Sequence, residues 1–390
     1  MSKKKFSVNG TFKDSVNTVK FLTERKQFIN SAAATLPTGT DDFGVNKVAK
    51  SIHPKEQGLV ITKIEEHGKL AKSYYLKGEG DSAAYFKAGQ YLTFKLEIGN
   101  SVVTRSYSIA SSPADALKGE YQITVKRIAD GFVSDYILDN WSVGDRVCAY
   151  APEGNLTYNP LRDAENIVGI AGGSGITPFL SLARAIDCGT EDCSLTLLYG
   201  CRSSYEILFK AELDSLSEKN EKINVVYVLS HSDEEGYEKG FVGADIIRKY
   251  APDGDYSIFV CGPGGMYKFL EAELPKLNKE RKYIRFEVFS SGKKMEEEPK
   301  EYGITVVNRG NESVIKASSS ETVLCAFERA GIEVPARCHT GECGFCRSKL
   351  VSGKVYIPEG EDKRRIGDMQ FNFIHPCCCY PESDLVVRIN

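Results

Sequence analysis

Cys338-His-Thr-Gly-Glu-Cys343-Gly-Phe-Cys346 is the stretch that decides how the C-terminal part of the chain folds. Its spacing is C-x4-C-x2-C, and a further run, Cys377-Cys378-Cys379, follows at a distance. A binuclear iron–sulfur cluster takes four thiolates, two per iron. Three on one tight loop can wrap it, with the fourth supplied by a remote segment. Gly341 and Gly344 let the backbone approach the sulfides and aim its N–H groups at them. Zinc is the competing ligand, but zinc usually takes paired C-x2–4-C hairpins, often with histidine, and one C-x4-C-x2-C with a remote cysteine fits that poorly.

Working outward, the six cysteines of this region are half of the twelve in the chain. Met1-Ser-Lys-Lys-Lys is basic, but no apolar segment follows it, so no secretory signal is expected. Thiols without export point to a reducing compartment, and the cytoplasm is the expected location. The 390 residues suggest two to four domains at about 100–200 residues each. A net charge of −3 and a pI near 6.1 give no push toward nucleic acid or anionic lipid. No apolar run approaches the ~20 residues of a membrane helix. Neither a nucleic-acid role nor membrane insertion is expected.

The hydrophobic pattern divides the chain further. In residues 1–53, Val16, Val19, Leu22 and Phe28–Ile29 recur at near-helical spacing, which predicts a helix over Asp14–Ser31. A second should run from an Asp41–Asp42 cap to Ile52. Residues 54–160 carry short β-branched and aromatic runs at Leu59–Ile64, Gln90–Leu96, Val102–Ile109, Tyr121–Arg127 and Arg146–Tyr150. Gly, Asn and Asp turns separate them, which predicts an antiparallel β-barrel. In residues 161–289 the apolar strands Ile167–Ala171, Ser194–Tyr199, Ile223–Leu229, Ser257–Cys261 and Ile284–Phe289 alternate with helical patterns. That predicts an α/β domain with a doubly wound parallel sheet. Residues 290–301 are a polar linker. Residues 302–390 open with a hairpin and a helix ahead of the cysteines.

Three further motifs carry chemistry. Arg105-Ser-Tyr107-Ser108 ends a barrel strand; alternate residues share a face, so Arg105 and Tyr107 point the same way. Read alone, it could be a plain strand ending in a serine turn. Gly172-Gly173-Ser174-Gly175-Ile-Thr177-Pro178 follows an apolar strand and opens a helix, where glycines permit close phosphate approach and the helix start supplies N–H groups. Cys261-Gly262-Pro263 ends the fourth strand of the α/β domain.

In this order the motifs resemble the ferredoxin–NADP reductase superfamily with a C-terminal plant-type [2Fe–2S] ferredoxin domain, as in oxygenase reductase components and reductases of hybrid-cluster proteins. The likeness spans about residues 55–390. It includes Arg-x-Tyr-Ser, Gly-Gly-x-Gly-Ile-Thr-Pro, Cys-Gly-Pro-x-x-Met and the ending Cys-x3-Pro-x-Ser-Asp. The resemblance implies a multidomain chain: flavin barrel, nucleotide domain and an α+β ferredoxin domain of the β-grasp type. It implies that Cys377 joins Cys338, Cys343 and Cys346 as cluster ligand, leaving Cys378 turned away along an extended segment and Cys379 displaced, both as buried filler.

The same resemblance implies a flavin phosphate on Arg105, ring packing by Tyr107 and a hydroxyl from Ser108 near the flavin N5. Thr177 and Cys261 would lie beside the nicotinamide, with Gly262 and Pro263 shaping the ledge beneath it. Gly131-Phe-Val-Ser134, before a helical run over Asp135–Asn140, offers Ser134 and free N–H groups to a pyrophosphate, which favours FAD over FMN. Lys126 and Arg127 line that pocket or are strand-edge charges. Arg202 meets a dinucleotide phosphate or ribose, or is a surface arginine. Glu287 and Phe289 face the flavin, or are a solvated carboxylate and strand core. His231 followed by Asp233-Glu-Glu where relatives hold a 2′-phosphate favours NADH over NADPH.

The expected activity is an NAD(P)H oxidoreductase passing electrons from NADH through FAD and the cluster to a separate terminal acceptor protein. The alternatives are a self-contained reductase of quinones or small acceptors, and a redox-sensing interaction protein that binds through residues 1–50.

Overall fold

The computed structural model of the chain describes residues 10–34, 44–79, 83–128, 131–288 and 298–389. The chain divides into two compact units, Met1–Lys50 and Ser51–Asn390. In the first, helix α1 spans Phe12–Ala34. Thr11 starts it: its hydroxyl accepts from the Asp14 N–H at 3.3 Å, and Asp14 accepts back from the Thr11 N–H at 2.7 Å. This reciprocal cap satisfies two N–H groups that the helix itself leaves unpaired. Helix α2 spans Gly44–Ile52; the Asp41–Asp42 cap expected for it lies outside the described residues.

The second unit begins with the barrel. Its strands are β1 (Glu56–His67), β2 (Ala71–Gly78), β3 (Tyr91–Ile98), β4 (Ser101–Ser108), β5 (Glu120–Lys126) and β6 (Arg146–Tyr150), with short helix α3 (Pro113–Ala116) and α4 (Phe132–Asn140) between them. The spatial order is β4-β3-β6-β1-β2-β5, and a bridge from Ile109 to Ile123 closes the ends. Leu59, Ile61, Tyr74, Leu92, Phe94 and Ile123 fill the interior. Full burial of each such side chain is worth about 1.5–3 kcal/mol. β2 has no counterpart among the expected strands. Tyr74 and Leu76 point into the barrel, but Lys72 shares their face, and the opposite face is buried too, at Ala71 and at Ser73, whose hydroxyl hydrogen-bonds that of Thr124 at 2.8 Å, so no apolar–polar alternation marks the strand.

The α/β part runs β7 (Asn166–Gly172), α5 (Thr177–Asp187), β8 (Ser194–Cys201), α6 (Lys210–Lys219), β9 (Ile223–Leu229), β10 (Glu238–Lys239), α7 (Ala244–Tyr250), β11 (Tyr256–Cys261), α8 (Gly264–Glu273) and β12 (Ile284–Glu287). All pairings are parallel, in the order β10-β9-β8-β7-β11-β12. The order reverses between β7 and β11. In open α/β sheets ligands bind in the crevice beyond the C-terminal ends of the two strands flanking that switch. Here those ends are Gly172 and Cys261.

The last part runs β13 (Glu301–Asn308), β14 (Asn311–Ser318), α9 (Val323–Arg329), β15 (Ser348–Ser352), β16 (Val355–Tyr356), α10 (Ile366–Gln370), β17 (Phe373–Ile374), β18 (Tyr380–Pro381) and β19 (Leu385–Ile389). The sheet order β14-β13-β19-β15-β17 puts β19 in the middle, parallel to β13 and antiparallel to β15. Among the described residues no helix is long and apolar enough to cross a membrane.

Candidate active site and electron-transfer junction

The nucleotide crevice is built by close backbone approach. Gly172 ends β7, and Gly173–Ile176 make one 3₁₀ turn before α5. A Cβ on Gly175 would stand 2.2 Å from the Cys261 carbonyl oxygen, so only glycine lets the two loops touch. Thr177 is buried, and its hydroxyl donates to the Ser174 carbonyl at 3.1 Å. Cys261 is buried at the end of β11, and burial pushes its thiol well above the usual range. Pro263 precedes α8. The Tyr267 hydroxyl accepts from the Gly262 N–H at 2.9 Å and donates to the Glu287 carbonyl, which ties the Cys261 loop to β12. No local sequence pattern singles out Tyr267.

The barrel meets this crevice at Ser108. Its hydroxyl donates to Glu287 Oε2 at 3.2 Å, and both residues are buried. Burial raises the Glu287 carboxyl from its ordinary 4.5 to about 8; the Ser108 bond lowers it and nearby Glu342 raises it. Phe289 lies outside the described residues. Lys126, at the end of β5, pairs with Glu206 at 3.4 Å and stands 3.6 Å from where a Gly173 Cβ would be, so it reaches the nucleotide loop. Arg127 turns to Asp135 and Asp139, at 3.2 and 2.5 Å.

Helix α4 begins at Phe132, three residues before the expected start, with Gly131 ahead of it. Among the described residues no side chain caps that end, which leaves its first N–H groups open. Ser134 is buried in the first turn. Arg202 takes part through its carbonyl, which accepts from the His231 N–H at 2.9 Å. Between the tips of β8 and β9, Glu234 accepts from the Ser232 hydroxyl at 2.6 Å and the Ser204 N–H at 3.5 Å.

Four thiols converge in the cysteine region. Cys346 Sγ lies 3.4 Å from Cys377 Sγ. Cys338 receives hydrogen bonds from the thiols of Cys343 and Cys377, which hold it far below the ordinary thiol range. Backbone N–H groups of Thr340 and Cys343 point at Cys338 Sγ at 3.4 Å, and that of Gly341 points at Cys377 Sγ at 3.2 Å. Gly341 and Gly344 hold φ of +79° and +71°, which side-chain-bearing residues rarely adopt. Thiols ringed by N–H donors fit a negatively charged iron–sulfur cluster. Among the described residues no three or more His, Cys, Asp or Glu side chains converge so as to hold a single metal ion. A two-iron cluster does not require that, since each iron takes only two thiolates.

One expectation about this loop needs correction. Pro376–Cys378 is a 3₁₀ turn and not an extended segment, so side-chain alternation does not apply. Cys378 stays beside the loop: its Sγ donates to the His375 carbonyl at 3.4 Å, and it also hydrogen-bonds the Cys377 thiol. Cys379 is fully buried, and its thiol is raised by that burial.

The cluster loop docks on the polar face of β3 and β4. Thr104 Oγ1 donates to the Ala336 carbonyl and Ser106 Oγ to the Arg337 carbonyl, each at 2.9 Å. Lys95 pairs with Glu333 at 2.6 Å. Arg337, next to Cys338, pairs with Glu153 and lies over the Phe345 ring at 3.8 Å. A Cβ on Gly154 would be 3.1 Å from both Glu287 Oε1 and the Tyr91 ring. Tyr91 feels the charges of Glu287, Cys338 and Cys343. Glu287, Gly154 and Tyr91 thus lie together where the nucleotide crevice meets the barrel. Arg105 bonds Glu328 and His339 of the cysteine domain. None of these pairings is marked by sequence spacing.

Barrel, α/β crevice and thiolate loop in one compact unit define a class: a flavin-dependent nicotinamide oxidoreductase that carries its own iron–sulfur centre. Comparison with known proteins agrees. Residues 60–158 match the oxidoreductase FAD-binding domain, 170–272 the oxidoreductase NAD-binding domain and 306–382 the 2Fe-2S iron-sulfur cluster binding domain. The ferredoxin reductase component of 3-ketosteroid-9-alpha-monooxygenase from Mycobacterium tuberculosis is 30% identical, over 77% of this chain and 84% of that protein. The glycine betaine monooxygenase reductase subunit of Chromohalobacter salexigens is 27% identical, over 78% of this chain and 87% of that protein. The phthalate dioxygenase reductase structure shares the fold, with TM-score 0.66 and 24% identity over 86% of this chain and 98% of that one. The chain belongs to the ferredoxin–NADP reductase superfamily, in the branch with a C-terminal [2Fe–2S] ferredoxin domain. It is an NAD(P)H oxidoreductase that uses FAD and a [2Fe–2S] cluster.

Proposed function

We propose that the protein takes electrons from NADH and delivers them singly to a separate redox protein. The observation that carries this is the docking of the cysteine loop on the barrel face that ends at Ser108, through Thr104 and Ser106. When bound, FAD accepts a hydride from the nicotinamide and yields its electrons to the cluster one at a time. The residues contribute mainly position and exclusion of water. Ser108 and Glu287 would face the reacting flavin edge, Glu287 carrying its proton up to about pH 8. Thr177, Cys261, Gly262 and Pro263 would hold the nicotinamide, with Gly172, Gly173, Ser174 and Gly175 under its phosphates. Arg105, Tyr107, Gly131 and Ser134 would hold FAD, with Lys126 at the seam between the two cofactors and Arg202 near the adenosine half. Cys338, Cys343, Cys346 and Cys377 would bind the cluster.

The preference for NADH over NADPH rests on Glu234, whose carboxylate would accept from a ribose 2′-hydroxyl and repel a 2′-phosphate. The relatives are reductase components of monooxygenases, which supports an oxygenase as acceptor. The twelve cysteines, four of them proposed cluster ligands, support a reducing compartment, the cytoplasm. The test is steady-state reduction of cytochrome c with each nucleotide. NADH should exceed NADPH in kcat/KM by at least about tenfold, the scale of about 1.4 kcal/mol, and Glu234→Arg should narrow that ratio. Equal use of both nucleotides by the unaltered protein would refute the preference.

A further inference from the structure

We propose that Glu328 is a positioning residue for electron transfer: by clamping Arg105 across the domain boundary, it sets the cysteine loop against the flavin barrel. The proposal rests on the flavin and cluster reading above and goes beyond it.

Glu328 sits in the last turn of α9. The negative end of the helix dipole disfavours a carboxylate there, and its side chain is only 7% exposed. Burial alone raises its carboxyl, and Arg105 lowers it. Such a group persists only with close partners, and every partner it has lies in other parts of the junction. Both carboxylate oxygens are 3.3 Å from Arg105 Nη1. Oε1 also accepts from the Thr104 N–H at 3.5 Å. β4 is an edge strand of the barrel sheet, so that N–H points away from β3 and needs a partner. His339 Nε2 lies 3.0 Å from Thr104 Oγ1 and 3.4 Å from Arg105 Nη1. His339 directly follows Cys338. Glu328 therefore closes a buried polar cluster one residue from a proposed cluster ligand.

The geometry also leaves Arg105 free for a second task. Among the described residues, all of its bonds run through Nη1, to Thr104 O, Glu328 and His339. Nε and Nη2 remain for a flavin phosphate, since a guanidinium offers five N–H donors in a planar fork. One side chain can thus serve the flavin and the docked domain together. The neighbouring Lys95–Glu333 pair joins the same two domains, but Glu333 is 63% exposed, and exposed pairs contribute little.

The experiment is stopped-flow mixing of the full holoprotein with NADH, following flavin bleaching and then cluster bleaching. The variants are Glu328→Gln, Glu328→Asp, Glu328→Ala and, as control, Glu333→Gln. Glu328→Gln should keep its FAD content, its reduced-cluster EPR signal and the flavin bleaching rate. Its flavin-to-cluster phase should slow severalfold, because electron transfer weakens as donor and acceptor move apart. Glu328→Asp should recover part of the rate, and Glu333→Gln should match the unaltered protein. Wild-type cluster bleaching in both Glu328→Gln and Glu328→Ala overturns the proposal. Loss of FAD from Glu328→Gln also overturns it, because Glu328 would then belong to the flavin site. If the unaltered protein showed no cluster bleaching with NADH, the functional reading itself would fail, which is a different result.

Discussion

Replacing Glu287 by glutamine should make the protein more stable, and the gain should grow with pH. In the fold the carboxyl is buried against Ser108 and titrates near 8, against 4.5 ordinarily. Between those values the folded state keeps a proton that the unfolded chain has released. Stability therefore falls as pH rises through this window, and the loss is complete above about 8. Each pH step costs about 1.4 kcal/mol. The span from 4.5 to about 8 is then worth about 5 kcal/mol at most, and pH 5 to 7 about 3 kcal/mol. Glutamine keeps the shape and the acceptor for Ser108 but has no proton to hold. The assay is urea unfolding of the flavin-free protein and of Glu287→Gln from pH 5 to 8. Trp141, the one tryptophan, packs on Tyr74 and Phe94 in the barrel and reports the transition by fluorescence. The carboxyl of Glu191 is raised by burial too, but it does not act on Glu287 and cancels in the difference between the two proteins. A gap that stays constant within about 1 kcal/mol over that range would refute the reasoning.

Three other outcomes are expected. Serine at Cys338, Cys343, Cys346 or Cys377 should abolish or strongly perturb the visible and EPR signals of the cluster, whereas serine at Cys378 or Cys379 should leave them; an unchanged spectrum in Cys377→Ser would reassign the fourth ligand. Gly175→Ala drives a Cβ to 2.2 Å from the Cys261 carbonyl, so it should slow flavin bleaching by NADH at least about tenfold, as misplaced reactants do, while FAD and cluster spectra persist. A chain ending near Ser291 should retain FAD, accept hydride from NADH and reduce ferricyanide, yet lack cluster bands and fail with its protein acceptor; inability to take hydride would mean that the ferredoxin part helps to build the crevice.

The motifs were legible because their residues are close in sequence and each answers a local demand, such as glycine at a loop contact or thiolates around iron. Strand periods identified the barrel and the α/β sheet, but not β2, where Lys72 lies on the barrel-facing side and Ser73 is buried on the other. What stayed hidden is the set of pairings that join the domains. Ser108 meets Glu287 across 179 residues and Arg105 meets Glu328 across 223, and no periodicity records contacts at that separation. Glu328 in Phe-Glu-Arg-Ala reads as an ordinary solvated helix charge. The extended path assumed for Cys377–Cys379 failed because Pro376 can begin a 3₁₀ turn, its fixed φ being compatible with helical backbone.

The central place of β19 also fixes an order of events during synthesis. Its partner β13 is made far earlier: Ile304 pairs with Leu385, and every proposed cluster ligand lies in the chain between them. The sheet cannot close until residues 385–389 have emerged, while the barrel and the α/β part are complete well before. Domains fold as units in the order they are made, and long-range parallel pairing is slow. A nascent chain can therefore present a folded flavin and nucleotide module while its thiols are still open to an iron–sulfur donor.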